Sequence, residues 1–271
     1  MKTLPPATLA VLLNLNVLLL GAEPPDKPQA ASTNAVSVAK PAGDALQSRM
    51  QSVLQTSLMK GSENSAAGLI YMEAETRKLF KEFPQRPEPF ELLMSAATFC
   101  DAEKARTLAH EIVDSKLADA EIKARAAGLL KNLDNVGKPL ALKYSALDGR
   151  AVDLEQLKGK VVLVDFWATW CPPCIGMLPH LKATYQELKP RGFEILGISY
   201  DDDKQKLESF LKREQVSWPQ FFDEKGRENK FAQEFSVQAL PTMWLVDKKG
   251  VLRYLNAGND LVQKVKTLLD E

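Results

Sequence analysis

The stretch that decides the fold spans residues 163–174 and reads Leu-Val-Asp-Phe-Trp-Ala-Thr-Trp-Cys-Pro-Pro-Cys. Its first half is rich in β-branched, apolar and aromatic residues, which predicts a buried strand. Its second half brings Cys171 and Cys174 to a point where a helix can begin, because proline is tolerated in the first turn of a helix. Two cysteines at this spacing can close into a disulfide or open into a dithiol, so the stretch predicts a redox site.

Disulfide exchange at this site requires a lowered thiol pKa, because the thiolate is the nucleophile. A helix dipole is worth about 0.3–1 kcal/mol, up to ~2 kcal/mol when partly buried. Since one pKa unit is about 1.4 kcal/mol, the dipole alone lowers a thiol pKa by roughly one unit. Pro172 and Pro173 each lack a backbone donor, so we expect a reduction potential different from that of a Gly-Pro site.

The overall composition is that of an ordinary globular protein. The 271 residues are 45% hydrophobic and include 35 Lys plus Arg and 35 Asp plus Glu, enough for one or two domains with ordinary cores. Because positive and negative charges are equal in number, no electrostatic footprint points to nucleic acid, and we expect no nucleic-acid partner.

The cysteine count is too low for a disulfide-stapled scaffold, with only three in the chain. We expect Cys100 to be a buried, inert side chain; the alternative is a third redox thiol or intermolecular pairing. Zinc needs four ligands, and the pair is supplemented only by Cys100, His110 and His180. We therefore expect no metal and no cofactor beyond the Cys171–Cys174 disulfide.

The N-terminus has the pattern of a secretory signal peptide, predicted over residues 1–22. A basic Lys2 precedes an apolar stretch that ends in small residues, and this stretch is shorter than the ~20 residues of a spanning helix. Residues 23–43 are rich in Pro, Ala, Ser and Lys and predict a flexible linker. We expect an exported, periplasmic protein; the alternative is an uncleaved membrane anchor.

Residues 44–135 have helical periodicity and predict a small all-α domain. Apolar side chains recur at helical spacing from Leu46 onward. Asp101 and Asp119 are placed to begin the last two helices, because aspartate is a preferred N-cap. We expect this domain to act as a spacer or a docking surface.

From residue 137 to residue 271 strands and helices alternate. Asp148-Gly149 predicts a hairpin turn, and the run from Asp201 to Asp203 predicts a cap for the following helix. The segment around Phe221 is predicted to be irregular. The remaining pattern predicts strands at 160–167, 193–200, 242–246 and 251–256, with helices ending near 189 and spanning about 204–214, 229–235 and 260–269. This order predicts an α/β fold with a mixed central sheet flanked by helices.

Residues 137–271 resemble the thioredoxin superfamily, within its exported branch of thiol–disulfide oxidoreductases and redoxins related to cytochrome-maturation proteins. The motifs that carry the resemblance are Asp165-Phe-Trp-Ala, Trp170-Cys-Pro-Pro-Cys, Pro179 and Leu240-Pro-Thr. The resemblance implies a thioredoxin-like fold in which Cys171 is the exposed attacking thiolate. Cys174 would then be the resolving thiol that collapses the mixed disulfide.

The resemblance also implies a substrate groove beside the cysteines. Pro241 would follow a cis peptide bond and leave the backbone of Leu240 free to pair with an extended peptide; the alternative is a trans proline at the start of a strand. Trp170 would cover the attacking sulfur. The predicted substrate-binding residues are Trp170, Pro172, Pro173, Leu240 and Thr242.

Asp165 is an unusual carboxylate because it lies inside an apolar strand. Burial would raise its pKa and make it a proton acceptor for Cys174, and its position matches the buried acid of thioredoxin. The alternative is a structural aspartate at a strand edge. Thioredoxin-like sites tend to have a lysine near this acid, which the strand 193–200 lacks, and Met177 stands where many exported relatives have glutamate.

The sequence therefore predicts a protein disulfide oxidoreductase that exchanges disulfides with cysteine pairs of exported proteins. A reducing role is favoured, and a separate thiol–disulfide partner would reset the site. One alternative is a peroxiredoxin-like thiol peroxidase, although Ala168 stands three residues before Cys171 and no proline lies between Lys160 and Cys171. The other is a partner-binding module with a vestigial redox site.

Overall fold

The computed structural model describes residues 42–258 and 260–271, and five helices form its first part. These N-terminal helices pack around a core of their own, centred on the buried Leu54, Met72 and Leu93. The predicted signal peptide and residues 23–41 of the predicted linker lie outside the described residues. The helices are α1 (Ala42–Glu63), α2 (Ser65–Glu82), α3 (Pro89–Phe99), α4 (Ala102–Asp114) and α5 (Ala120–Asn135).

The starts of these helices follow local chemistry. The carboxylate of Asp101 accepts a hydrogen bond from the backbone N–H of Lys104, and that of Asp119 accepts one from Ile122. Both caps were predicted, and both are confirmed. Helix α1 begins at Ala42, two residues earlier than predicted, because apolar periodicity locates the buried face of a helix but not its first turn.

A five-stranded mixed sheet and four helices form the second part, as predicted for a thioredoxin-like fold. The strand order is β5-β4-β3-β6-β7, with β3 parallel to β4 and antiparallel to β6. A separate hairpin, β1–β2, turns at Gly149, whose φ of 84° favours glycine. The strands are β1 (Lys143–Ser145), β2 (Ala151–Asp153), β3 (Val161–Trp167), β4 (Phe193–Ser199), β5 (Gln220–Phe221), β6 (Thr242–Val246) and β7 (Leu252–Tyr254).

The helices of this part lie where the alternation predicts them. Their bounds, and those of the predicted strands, agree with the sequence to within two residues. The segment around Phe221 is an exception, because it forms the short edge strand β5; two residues are too few to show the alternation of a strand. The helices are α6 (Pro172–Leu188), α7 (Lys204–Arg213), α8 (Lys230–Phe235) and α9 (Leu261–Asp270).

Strand β3 is the centre of the sheet, and all seven of its residues are buried. Its register places Phe166 opposite Thr242. The chain leaves β3 after Trp167 and enters β6 at Thr242, so the loop carrying Cys171 and the loop carrying Pro241 share one edge of the sheet. This register positions the site.

The two faces of the sheet differ in what covers them. On one face Phe166, Trp244 and Phe235 of α8 pack with ring centroids 5.1–6.3 Å apart. On the other face the side chains of Met177, on α6, and Met243, on β6, both lie next to Gly258. A Cβ added to Gly258 would be 3.5 Å from the Met177 side chain and 3.6 Å from that of Met243. Helix α6 therefore covers the face to which Met243 belongs.

The N-terminal helices contact the second part close to the chain that leads into β6. Helix α5 approaches Ser236 so closely that a Cβ on Gly128 would lie 2.8 Å from the Ser236 Cβ. Lys131 donates to the backbone carbonyl of Glu234 at 3.0 Å, and Asn256 donates to that of Thr98 at 3.4 Å.

Across residues 42–258 and 260–271, none of the helices combines the length and hydropathy that a membrane crossing requires.

Candidate active site

The two cysteines form a disulfide at the start of α6. The sulfurs are 2.07 Å apart and the Cα atoms 5.3 Å apart. Cys171 is the N-cap residue of the helix, and its sulfur accepts a hydrogen bond from the backbone N–H of Cys174 at 3.3 Å. Pro172 and Pro173 occupy the first turn. Although both prolines lack donors, one N–H still points at the Cys171 sulfur, and such a bond strengthens when the acceptor is charged.

Cys171 is fully buried, at 0% exposed, so the prediction of an exposed sulfur is wrong for this disulfide-bonded state. The reason is packing: both sulfurs belong to the main hydrophobic core, and Pro173 between them is buried as well. Pro172 is exposed. A partner thiol can reach Cys171 only after the groups that cover it move.

Trp170 is the large exposed apolar side chain beside the disulfide, at 45% exposed. Its indole N–H donates to the backbone carbonyl of Tyr200 at 3.3 Å. The guanidinium of Arg227 lies 4.7 Å from the ring centroid, a distance at which a cation and a ring attract. Trp167, by contrast, is buried and donates to Gln220 at 2.8 Å, which confirms its predicted place in the core.

The loop before the cysteines is held by Asp201, a residue whose role the sequence did not predict. The backbone N–H of Thr169 donates to both carboxylate oxygens, at 3.2 and 3.1 Å, and the Thr169 hydroxyl donates to one of them. The hydroxyl of Ser199 donates to the other at 2.7 Å. The predicted helix cap is made by Asp203 alone, which accepts from the N–H of Lys206.

The position of Asp201 in the sequence could have indicated that it holds the loop. It lies two residues beyond the end of β4, next to the parallel strand that leads to the cysteines. Polar residues at the carboxyl ends of neighbouring parallel strands meet at one edge.

Asp165 lies in the middle of β3 with no polar neighbour in the sheet. Its partners are Gly197 on β4 and Met243 on β6, and among the described residues its Oδ1 has no hydrogen-bond partner. Burial raises the pKa of the Asp165 carboxyl to about 7. Because Met243 belongs to the face covered by α6, Asp165 lies on the face that also carries Cys174.

The position beside Asp165 on β4 has no room for a lysine side chain. Position 197 is glycine, and a Cβ there would lie 2.0 Å from Oε1 of Gln220. The Gln220 side chain therefore fills the space that a longer residue at position 197 would need. Its Oε1 accepts from Trp167 and its amide donates to the Trp218 carbonyl.

The peptide bond between Leu240 and Pro241 is cis, the isomer that the resemblance implies. Both residues are buried, and Thr242 donates its hydroxyl to the carbonyl of Ala239 at 2.7 Å. The register of β3 and β6 puts this loop at the sheet edge that also carries Cys171.

Cys100 belongs to the N-terminal helices, not to the part of the chain that carries the disulfide. It ends helix α3, half-buried, with its sulfur 3.6 Å from the Ala97 carbonyl. Burial raises the pKa of the Cys100 thiol to about 11, so the thiolate is scarce at neutral pH.

Comparison with known proteins identifies the family. The model of the Redoxin family matches residues 125–269, just over half of the chain. This chain belongs to the Redoxin family. Among curated relatives of this redoxin, the thiol-disulfide oxidoreductase ResA of a Bacillus cereus strain is 36% identical over 104 residues, which cover 38% of this chain and 58% of the relative.

A second relative, ResA of Halalkalibacterium halodurans, is 30% identical over 124 residues, 46% of this redoxin and 69% of that protein. Similar solved structures include the thioredoxin domain of a thiol-disulfide oxidoreductase from Bacteroides vulgatus (TM-score 0.44, 30% identity, 49% of this chain and 97% of that one). Another is a thiol-disulfide oxidoreductase from Bacteroides fragilis (TM-score 0.42, 27% identity, 48% and 98%).

Proposed function

We propose that the protein is a thiol–disulfide oxidoreductase that works through Cys171 and Cys174. The observation that supports this most directly is the disulfide at the start of α6, above the sheet face that holds Asp165, whose Oδ1 has no hydrogen-bond partner among the described residues. The curated relatives are named thiol-disulfide oxidoreductases, and this chain spans 58% of the length of the first of them.

The reaction begins with the protein in its dithiol form. The Cys171 thiolate attacks one sulfur of a substrate disulfide, the sulfur–sulfur bond of the substrate breaks, and the other substrate sulfur leaves as a thiolate. The N–H of Cys174, 3.3 Å from the Cys171 sulfur in the disulfide, is the donor available to stabilise the attacking thiolate. The product is a mixed disulfide with the substrate.

The second step closes the ring. The Cys174 thiol loses its proton to the Asp165 carboxylate, attacks the Cys171 sulfur and releases the second substrate thiolate. The substrate gains two electrons, and the protein is left with the disulfide seen here. A carboxyl with a pKa near 7 suits this transfer, because it is partly ionised at neutral pH.

We also propose a direction of electron flow, a class of partner and a location for the protein. We favour the reducing direction, with cysteine pairs of exported proteins as substrates and a separate thiol–disulfide partner that returns the site to the dithiol. Residues 1–22 would direct export to the periplasm or, uncleaved, anchor the chain in the membrane. Trp170, Pro172, Leu240 and Thr242 line the route of the substrate.

A trapping experiment tests the proposal. The reduced Cys174→Ser variant, mixed with a disulfide-bonded peptide, is expected to accumulate a mixed disulfide through Cys171, seen by mass spectrometry. The reduced wild type should release fully reduced peptide. Cys171→Ser is the matched control and should form no adduct. An equally abundant adduct in that control would overturn the assignment, and rapid peroxide consumption by the reduced wild type would favour a thiol peroxidase.

A further inference from the structure

A small pocket lies where the N-terminal helices meet the chain that leads into Pro241. Its volume is about 70 Å³, room for roughly two waters at ~30 Å³ each, or for one short polar group. Helices α3 and α5 form one wall and residues 236–242 form the other. The polar residues that line it are Thr98, Arg125, Asn132, Ser236, Gln238 and Thr242.

The wall from α5 contains a buried acceptor without a donor. Asn132 is only 6% exposed, and within the described part of the chain its Oδ1 has no hydrogen-bond partner. Buried amide oxygens are nearly always bonded, because leaving one unpaired is costly. A group that enters the pocket with an N–H or O–H would satisfy Asn132.

Arg125 supplies donors to the same pocket. Its guanidinium is mostly buried and pairs with Glu91 at 2.8 Å through one nitrogen. A guanidinium carries five N–H donors in total, so Arg125 can also donate to an occupant. A neutral carboxamide matches an amide oxygen on one side and a guanidinium on the other, because its N–H₂ donates while its carbonyl, a separate atom, accepts; a hydroxyl would have to do both through one oxygen. A cation would meet Arg125, and a carboxylate would meet the oxygen of Asn132 and the carboxylate of Glu91.

The pocket lies within reach of a peptide bound at the disulfide. Gln238 and Ala239 form its rim and precede Pro241 by three and two residues. Successive Cα atoms are about 3.8 Å apart, so the rim is at most roughly 8–11 Å from Pro241 along the chain. An extended peptide covers about 3.3 Å per residue, which brings a side chain two or three residues from the attacked cysteine to the pocket.

The wall of N-terminal helices is fixed against this loop. Gly128 allows α5 to approach Ser236 to a distance that any Cβ would prevent, and Lys131 bonds to the carbonyl of Glu234. The pocket is therefore a built feature of the contact between the two parts of the chain.

We propose that this pocket is a specificity subsite that binds the carboxamide of an asparagine in the substrate, two or three residues from the cysteine that Cys171 attacks. This proposal depends on the oxidoreductase function proposed above. It gives the N-terminal helices a direct part in choosing substrates, because Asn132 and Arg125 both belong to α5.

The kinetic test uses disulfide-bonded peptides with asparagine or leucine at each position up to three residues from the cysteine, and hydroxyethyl disulfide as a substrate too small to reach the pocket. At one of these positions, the kcat/KM of the reduced wild type should be about tenfold higher with asparagine than with leucine. A difference of this size corresponds to one hydrogen bond between neutral groups. Asn132→Leu should abolish this preference and leave the rate with hydroxyethyl disulfide unchanged. Asn135→Leu, on the same helix but outside the pocket, is the matched control.

A binding measurement separates the subsite from the chemistry. The measurement uses the oxidised ¹⁵N-labelled protein and an asparagine peptide in which serine replaces the cysteine. The side-chain amide signal of Asn132 is assigned by its loss in Asn132→Leu. This signal should shift when the peptide is added. The leucine peptide should leave it unchanged. No shift with the asparagine peptide, or an equal preference in Asn132→Leu, overturns the subsite. A wild type that reduces neither substrate class overturns the oxidoreductase function, while the amide signal still decides the subsite.

Discussion

Two buried carboxylates lie near the redox loop, Asp165 within β3 and Asp201 just beyond the end of β4, and their surroundings are opposite. Asp165 and Asp201 are each 4% exposed. Asp201 accepts hydrogen bonds from the backbone and hydroxyl of Thr169 and from Ser199, whereas Oδ1 of Asp165 has no partner in the described structure.

The difference teaches that burial alone does not assign a role to a carboxylate. Asp201 accepts hydrogen bonds from Thr169 and Ser199 and so holds the loop, which is a structural task. Burial of Asp165 penalises its charge and raises the pKa of its carboxyl to about 7, so it can take up a proton near neutral pH, which is a chemical task. Variants of Asp201 and of its donor Thr169 test the structural task, and variants of Asp165 test the chemical one.

The largest expected effect comes from removing the bonded carboxylate. Asp201→Ala removes the acceptor of one buried donor, the Ser199 hydroxyl, and of two part-buried donors, the N–H and hydroxyl of Thr169. A buried donor left unsatisfied costs about 1–3 kcal/mol. We expect the free energy of unfolding of the oxidised protein to fall by about 3–5 kcal/mol in urea titrations. Asp202→Ala, at the exposed neighbouring position, should change it by less than about 0.5 kcal/mol. Equal losses in both variants would show that the carboxylate of Asp201 does not hold the loop.

The second prediction concerns pH and the unpartnered carboxylate. The folded protein binds the Asp165 proton more tightly than the unfolded chain, because the pKa is raised to about 7 from about 3.9. Its contribution to stability is complete below pH 4 and is lost as the pH rises to about 7, a loss of about 4 kcal/mol. Asp165→Asn should remove this part of the pH dependence in urea titrations between pH 4 and pH 8. Asp202→Asn should retain it, and a wild-type slope that survives in Asp165→Asn would place the titration elsewhere.

The third prediction tests the chemical task of the same residue. In Asp165→Asn the Cys174 thiol loses its proposed proton acceptor, so we expect the mixed disulfide to collapse about tenfold more slowly at pH 7 (about 1.4 kcal/mol). Stopped-flow mixing followed by acid quench and mass spectrometry measures that step. The rate of the first attack by Cys171 should be unchanged. If both steps slow equally, Asp165 acts on the shape of the site and not on Cys174.

The smallest expected effect separates one hydrogen bond from the others around Asp201. Thr169→Val keeps the backbone N–H that donates to Asp201 but removes the hydroxyl. We expect a loss of about 1 kcal/mol in the free energy of unfolding measured by urea titration, with Thr169→Ser restoring most of it. A neutral Thr169→Val would mean that the backbone bonds alone hold the loop.

Local signals were enough to predict most of the architecture. The hairpin at Gly149, the buried run of β3 and the caps at Asp101 and Asp119 each depend on residues close together in sequence, and the structure contains all of them. The pair Cys171–Cys174 was readable for the same reason.

What the sequence could not predict depends on contacts between distant residues. Asp201 looked like a helix cap because three aspartates precede α7, yet its donor Thr169 lies 32 residues earlier. The burial of Cys171 follows from packing around the closed disulfide, and a motif does not encode it. Asn132 lines a pocket with residues more than one hundred positions away, so no local pattern singles it out.

Trp170 is the tryptophan whose fluorescence a quencher in the solvent can reach. Of the four tryptophans in the chain, Trp167, Trp218 and Trp244 are buried and Trp170 is nearly half exposed. A collisional quencher in the solvent therefore reaches one indole, and that indole belongs to the residue that directly precedes Cys171 in the chain. The quenchable fraction of the emission reports the surface next to the disulfide, with no added label.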